Sequence, residues 1–194
     1  SGLPGCTLVL ADPEAVGGGE LRGWATGIHG LDFLDPRHLA PTVNGVMLAG
    51  GSAFGLEAVW GAMQYLEANG IGFPVGRTVV PHVAGAILFD LNVGDHRARP
   101  DRSMGYRACS NAKPGPVEEG NVGAGTGASV GKLFGIARAM KGGVGSASVK
   151  VGELVVGALV AVNALGDVRD PETGQLLAGA RDSASGTKLV DSAE

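Results

Sequence analysis

The chain has 194 residues, with 15 Lys and Arg against 19 Asp and Glu for a formal net charge of −4. That balance excludes a basic nucleic-acid-binding face as its main business, and 44% hydrophobic residues exclude a disordered chain. Its 35 glycines carry no three-residue period, which excludes collagen, so they serve tight turns, close packing or backbone that meets a ligand.

Two cysteines, Cys6 and Cys109, with no Cys-x-x-Cys pattern, make neither a disulfide framework nor a zinc site. A reducing, cytoplasmic setting is the expectation. The longest apolar run, residues 155–165, is broken by Gly157 and Asn163 and falls short of a membrane span. Residues 1–5 lack the basic and apolar regions of a secretion signal, and the missing initiator Met leaves room for a longer gene product.

In chain order, residues 6–11 (CTLVLA) and 20–28 (ELRGWATGI) read as strands separated by a Gly17-Gly18-Gly19 turn. A loop with Pro and His over 32–41 leads to a third strand, 44–49 (NGVMLA). Leu56, Val59, Trp60, Met63 and Leu66 recur at helical spacing, with Glu57, Gln64 and Glu67 on the opposite face. Ser52 is the expected N-cap and Asn69-Gly70 the stop. Residues 84–91 (AGAILFDL) read as a buried strand. A helix capped by Asp101 is expected over 101–112, closed by KPGP. The glycine-rich stretch 120–131 is not regular throughout. Residues 147–151 and 154–162 form an expected antiparallel pair, with Gly157 marking a bulge or a close backbone approach. From Asp170 the chain turns polar and reads as a linker or loose end. No internal repeat is visible, and the alternation of strands and helices argues an α/β or α+β layered fold.

The motifs carry little chemistry by themselves. Lys132 after the glycine stretch suggests a P-loop, but Gly125 and Gly131 enclose five residues rather than four. Leu133 also occupies the position of the magnesium-binding hydroxyl. Gly123-x-Gly125-x-x-Ala128 is a loose dinucleotide fingerprint without a strand directly before it. Gly50-Gly51-Ser52-Ala53-Phe54-Gly55 sits at a strand-to-helix turn, yet Phe54 replaces the glycine that a nucleophile elbow needs. Ser52 therefore reads as a cap, although the amides of residues 51–54 could hold an anionic group. His29, His38, His82 and His96 lack ligand spacing. Arg97, Arg99, Arg102 and Arg107 form a basic cluster with no assigned chemistry. Lys132 and Asn163 stand out as polar residues in glycine-rich and apolar surroundings. Each also fits an ordinary role, a snorkelling lysine and a turn-forming asparagine.

Five stretches, PGCTLVL, NGVMLAGGSAFGLEA, AILFDL, GNVGAGTGASVGK and LVAVNALGDV, together resemble in that order the DmpA-type aminopeptidases. Relatives of that family include β-aminopeptidases and 6-aminohexanoate-oligomer (nylon-oligomer) hydrolases. The resemblance implies a four-layered α-β-β-α sandwich in which residues 1–194 are a single domain, the larger α fragment of an N-terminal-nucleophile hydrolase. Such a precursor cuts itself before a Ser or Thr, whose freed α-amine then acts as base for its own hydroxyl. No junction of that kind followed by a β-rich segment occurs after Asn163, so the nucleophile is expected outside these residues, on a β chain. By the same resemblance Asn163 matches the oxyanion-stabilising asparagine, and Lys132 the lysine beside the nucleophile. Gly50, Gly51, Ser52, Phe54 and Phe89 line the substrate pocket. Phe89 falls where some relatives carry a tyrosine, which removes a hydroxyl donor. No cofactor and no metal are implied. The implied partners are the β chain, a small peptide or amide substrate and further αβ units of a homo-oligomer, without nucleic acid or membrane. An acyltransferase of the ornithine acetyltransferase type, and a non-catalytic domain holding nucleotide or phosphate on residues 120–131, are the alternatives.

Overall fold

A computed structural model describes residues 4–40 and 42–193. The strands and helices of the first half are β1 (Cys6–Val16), β2 (Ile28–His29), β3 (Thr42–Ala49), α1 (Glu57–Ala68), β4 (Phe73–Val75), β5 (Thr78–Val80), β6 (Val83–Ile87) and α2 (Arg102–Ser110). A four-stranded sheet has the order β1-β3-β6-β2. β3 and β6 run parallel, joined through α1, while β1 and β2 pair antiparallel at the two edges. The buried Asn44 aligns the central pair: its N–H donates to the His82 carbonyl at 2.8 Å and its Oδ1 accepts the His82 N–H at 2.9 Å.

Strand alternation sends Met47 and Ala49 of β3 to one face of this sheet and Leu48 to the other. Met47 and Ala49 pack with Ala58, Val59, Ala62 and Leu66 of α1, Val83 of β6 and Cys109 of α2. The two helices meet at unusually close range. A Cβ on Gly61 would collide with the Arg102 carbonyl, and one on Gly105 with the Ala58 carbonyl. Asp101 caps α2 as expected, accepting the Met104 N–H at 2.8 Å. Asn69 ends α1, with Gly70 at φ 71°.

The second half supplies β7 (Ser129–Val130), β8 (Met140–Lys141), β9 (Gly143–Val151), β10 (Leu154–Val162), β11 (Val168–Arg169), β12 (Leu176–Ala178), β13 (Ala180–Arg181) and β14 (Leu189–Val190). β9 and β10 form the expected antiparallel ribbon. It lies across the other face of the sheet, where Val144, Leu159 and Ala161 pack with Leu48, Leu88, Ala124 and Ala128. The chain is thus mixed α/β, with layers of helices, sheet and ribbon.

Four local expectations are corrected. Residues 20–26 are not a strand: Gly23 takes φ 92°, Trp24 is fully exposed, and only Ile28–His29 pairs, at the sheet edge. Ser52 does not cap α1; it takes φ 56° and opens a 3-10 turn, Ser52–Leu56, with no side-chain cap bond. Gly157 makes no bulge, since it pairs in register with Ser148, and nothing stands near its Cβ position. The polar segment after Asp170 is folded rather than loose, because β12 returns to β11 and β14 to β13. Asp167 fastens the last part of it, accepting the Ser192 N–H and Oγ at 2.8 and 2.7 Å.

Candidate active site

Asn163 follows β10 directly, and Lys132 lies two residues beyond β7. The segments align because the N–H groups of Gly131 and Lys132 donate to the Gly166 and Leu165 carbonyls, each at 2.7 Å. The glycine at 131 is required, since it takes φ 68° and a Cβ there would collide with Gly179 and Ala180. Held this way, Lys132 Nζ donates to Asn163 Oδ1 at 2.8 Å. The Ser129 N–H donates to the same oxygen at 3.0 Å, and Asn163 Nδ2 donates to the Phe89 carbonyl at 2.9 Å.

This network fixes which end of the amide is which, because two donors converge on Oδ1. It also engages both acceptor positions of Oδ1 and one of the two Nδ2 hydrogens. The second Nδ2 hydrogen has no assigned partner among the described residues, so Asn163 is an oriented donor on a half-buried surface. Burial lowers the Lys132 ammonium below its ordinary pKa, and the negative charge of Asp90 opposes that shift.

The structure joins most of the expected pocket residues to this pair. The Phe89 ring is 54% exposed while its carbonyl holds Asn163. The next residue, Asp90, is buried and accepts the Gly51 N–H through Oδ1 at 2.6 Å. The Ser52 N–H donates to the Leu88 carbonyl at 3.0 Å. The anion expected at the residue 51–54 turn is therefore, at Gly51, the chain's own Asp90 carboxylate. Gly50 lies beside it, leaving no room for a Cβ against Asp90 Oδ2. Phe54 stands apart: its exposed ring carries the Arg99 guanidinium 3.6 Å above its centroid, and no bond ties it to Lys132 or Asn163.

The phosphate-cradle alternative meets a physical obstacle. Along the glycine stretch the N–H groups of Gly120, Ala124, Gly125, Ala128, Ser129 and Gly131 all donate to acceptors within the protein. A cradle needs those donors free. Among the described residues no group of three or more His, Cys, Asp or Glu could hold a metal ion. Three histidines hold backbone: His29, His38 and His82 each set Nδ1 against a carbonyl, of Val83, Ala40 and Thr42 respectively. Two surface grooves, of about 390 Å³ beside Trp60 and about 600 Å³ beside Leu31, contain neither Lys132 nor Asn163.

From the sequence, Asp90 reads only as an unmarked charge-relay acid with His96, and Lys141 has no role. Lys141, in β8, donates to the Thr126 carbonyl and adds positive charge near Asp90. A lone acid closing the apolar stretch AILFDL was the available signal for Asp90. Nothing in the sequence marks Lys141.

Residues 3–190 match Peptidase family S58, and the chain belongs to that family. An uncharacterized aminopeptidase of Mycobacterium leprae (strain TN) is 44% identical over 178 residues, covering 88% of this chain and 47% of its own length. A 6-aminohexanoate-oligomer endohydrolase of Kocuria sp. (strain KY2) is 29% identical over 188 residues, 96% of this chain and 50% of its own. The chain thus spans about half the length of the curated relatives it matches. Among solved structures, a Pyrococcus horikoshii OT3 protein superposes with a TM-score of 0.55 at 27% identity, over 83% of this chain and 40% of that one. The L-aminopeptidase D-Ala-esterase/amidase of Ochrobactrum anthropi, described as a new variant among the Ntn hydrolase fold, gives 0.51 at 19% over the same shares. The fold is therefore of the Ntn-hydrolase type.

Proposed function

We propose that this chain is the larger fragment of a self-processing N-terminal-nucleophile amidohydrolase that cleaves small peptides or ω-amino-acid oligomers through an acyl-enzyme. The observation that carries the reading is Asn163, clamped by Lys132, Ser129 and Phe89 with one Nδ2 hydrogen left to donate. In this reading a Thr or Ser heads a β chain from the same precursor. Its α-amine takes the hydroxyl proton, the oxygen adds to the substrate carbonyl, and Asn163 donates to the oxyanion. Collapse breaks the C–N bond, the proton passes to the leaving amine, and water releases the acyl group. Lys132 holds Asn163 Oδ1 and lends positive charge. Residues 50–52 and Phe89 form one wall of the pocket.

The companion chain has a place to dock. β10 reads LVVGALVAV without a charge, the pattern of a strand covered on both faces, yet Val155, Val156 and Val160 are exposed. Val9 and Val46, a cross-strand pair on the ribbon side of the sheet, are exposed too. Covering them completes the four-layered sandwich. Assembly of αβ units into a homo-oligomer and a cytoplasmic location belong to the same proposal. Among the described residues no helix is long and apolar enough to cross a membrane.

The test is intact mass and N-terminal sequencing of the expressed full-length precursor, followed by assay on aminoacyl amides and 6-aminohexanoate oligomers. A second chain beginning with Thr or Ser, plus amide hydrolysis, is expected. A single unprocessed chain inert on every amide would overturn the reading. Asn163→Ala should fold and lose about 10²–10³-fold in kcat, as removal of one oxyanion donor does.

A further inference from the structure

We propose that Asp90 is a positioning residue of this site, a buried carboxylate that locks the Phe89–Asp90 peptide against the residue 50–52 turn and so aims Asn163. The inference rests on the proposed function for its catalytic meaning, but not for its geometry.

Asp90 is 4% exposed, and Oδ2 is buried without a hydrogen-bond partner. An orphaned carboxylate oxygen is costly, so a side chain placed this way is expected to contribute something that an apolar residue would not. Three contacts show what. Oδ1 takes the Gly51 N–H, anchoring a turn in which Gly51 and Ser52 both have positive φ. Oδ2 is wedged between Gly50 and Gly127, where any Cβ would collide with it. One side chain therefore ties together the β3-to-α1 turn and the glycine stretch that leads to Ser129 and Lys132. Third, the carbonyl that accepts Asn163 Nδ2 belongs to the peptide unit joining Phe89 to Asp90. With the Asp90 side chain fixed to Gly51, that peptide plane cannot rotate freely, and neither can the amide it holds.

Charge reinforces the geometry. Lys132 and Lys141 are the cations acting on Asp90, and Asp90 is the charged group acting on Lys132. Removing the carboxylate leaves Lys132 with burial unopposed, so its ammonium should release its proton at lower pH.

The experiment uses the full-length protein and two variants. Asp90→Asn keeps shape and can still accept the Gly51 N–H, but removes the charge; Gly127→Ala keeps the charge and pushes a methyl at Oδ2. Thermal unfolding establishes that each is folded. Two readouts follow: kcat and KM on an amide substrate, and the pH dependence of Lys132 acylation by a reactive ester, read by peptide mass mapping. Asp90→Asn should lower kcat more than KM changes and shift Lys132 acylation to lower pH. Gly127→Ala should lower kcat by up to about 10²-fold, the scale of a 1 Å misplacement, without that shift. Wild-type kcat in folded Gly127→Ala, or wild-type kcat with an unmoved Lys132 in folded Asp90→Asn, would overturn the proposal. If the wild type hydrolyses no amide while Asp90→Asn still moves Lys132, the coupling stands and the proposed function falls.

Discussion

At the scale of single residues, desolvation governs the ionisable groups inside the fold. Burial pushes the Cys6 thiol up to about 11 and the Cys109 thiol up to about 12. Since the thiolate is the nucleophile, neither cysteine should react with iodoacetamide at pH 7.5 until the protein unfolds, which mass spectrometry with and without denaturant will check. Lys132 gives a pH dependence of opposite kind. Its folded pKa lies below 10.5, so in the window between the folded and unfolded values the unfolded chain binds more protons, and folding stability rises with pH there. Lys132→Met should remove that slope, measured as unfolding free energy against pH. Residue by residue, Lys132 and Asn163 stand out in the sequence because a cation after glycines and an amide ending an apolar run depart from local pattern, but each fits an ordinary role and only the family resemblance gives them chemistry. Asp90 was not, because its partners, Gly51 and Gly127, lie 39 residues before it and 37 after it.

At the scale of elements, the fold is a matter of how closely backbones approach. Gly61 and Gly105 let α1 and α2 pack backbone against backbone, so Gly105→Ala drives a methyl into the Ala58 carbonyl. It should destabilise by about 1–3 kcal/mol, as overpacking does. Gly157→Ala, with open space and an ordinary strand conformation, should instead gain about 0.4–1 kcal/mol. Urea melts of the two variants distinguish the cases. Both helices, the ribbon and β3 could be read from periodicity, helped by the Asp101 cap and the Asn69-Gly70 stop but misled at Ser52. The 20–28 segment could not, because Leu21 and Trp24 are exposed: strand propensity reflects packing against a sheet, and the segment reaches the sheet edge only at Ile28. Trp60 shows the same limit. Placed on the apolar stripe of α1 by spacing, it is 46% exposed and sets its ring T-shaped against that of His29, at 5.0 Å between centroids.

For the whole molecule, the unpartnered surfaces matter most. The outer half of the β9–β10 ribbon exposes Val149, Val151, Leu154 and Val156 on one face, two cross-strand pairs that form a contiguous apolar patch of the kind that marks an interaction surface. Residues 1–194 expressed alone should bind a hydrophobic dye and self-associate, and, on the proposed function, co-expression with the companion β chain should abolish both. The layered α/β class was legible from the order of elements. The mutual placement of layers was not, since it depends on Leu48 and Leu159 packing against one shared cluster, which local sequence cannot show.

The bonds around Asn163 reach across 31, 34 and 74 residues of chain, to Lys132, Ser129 and Phe89 respectively. Each demands a loop to close before the bond can form, so these contacts are expected to arise late in folding. Helices and the ribbon turn can form while the arrangement is still unmade. A nascent chain on the ribosome therefore lacks this chemistry until residue 163 has emerged and docked. On the proposed function, a self-cleavage that needs the Asn163 clamp would act as a readout of completed folding.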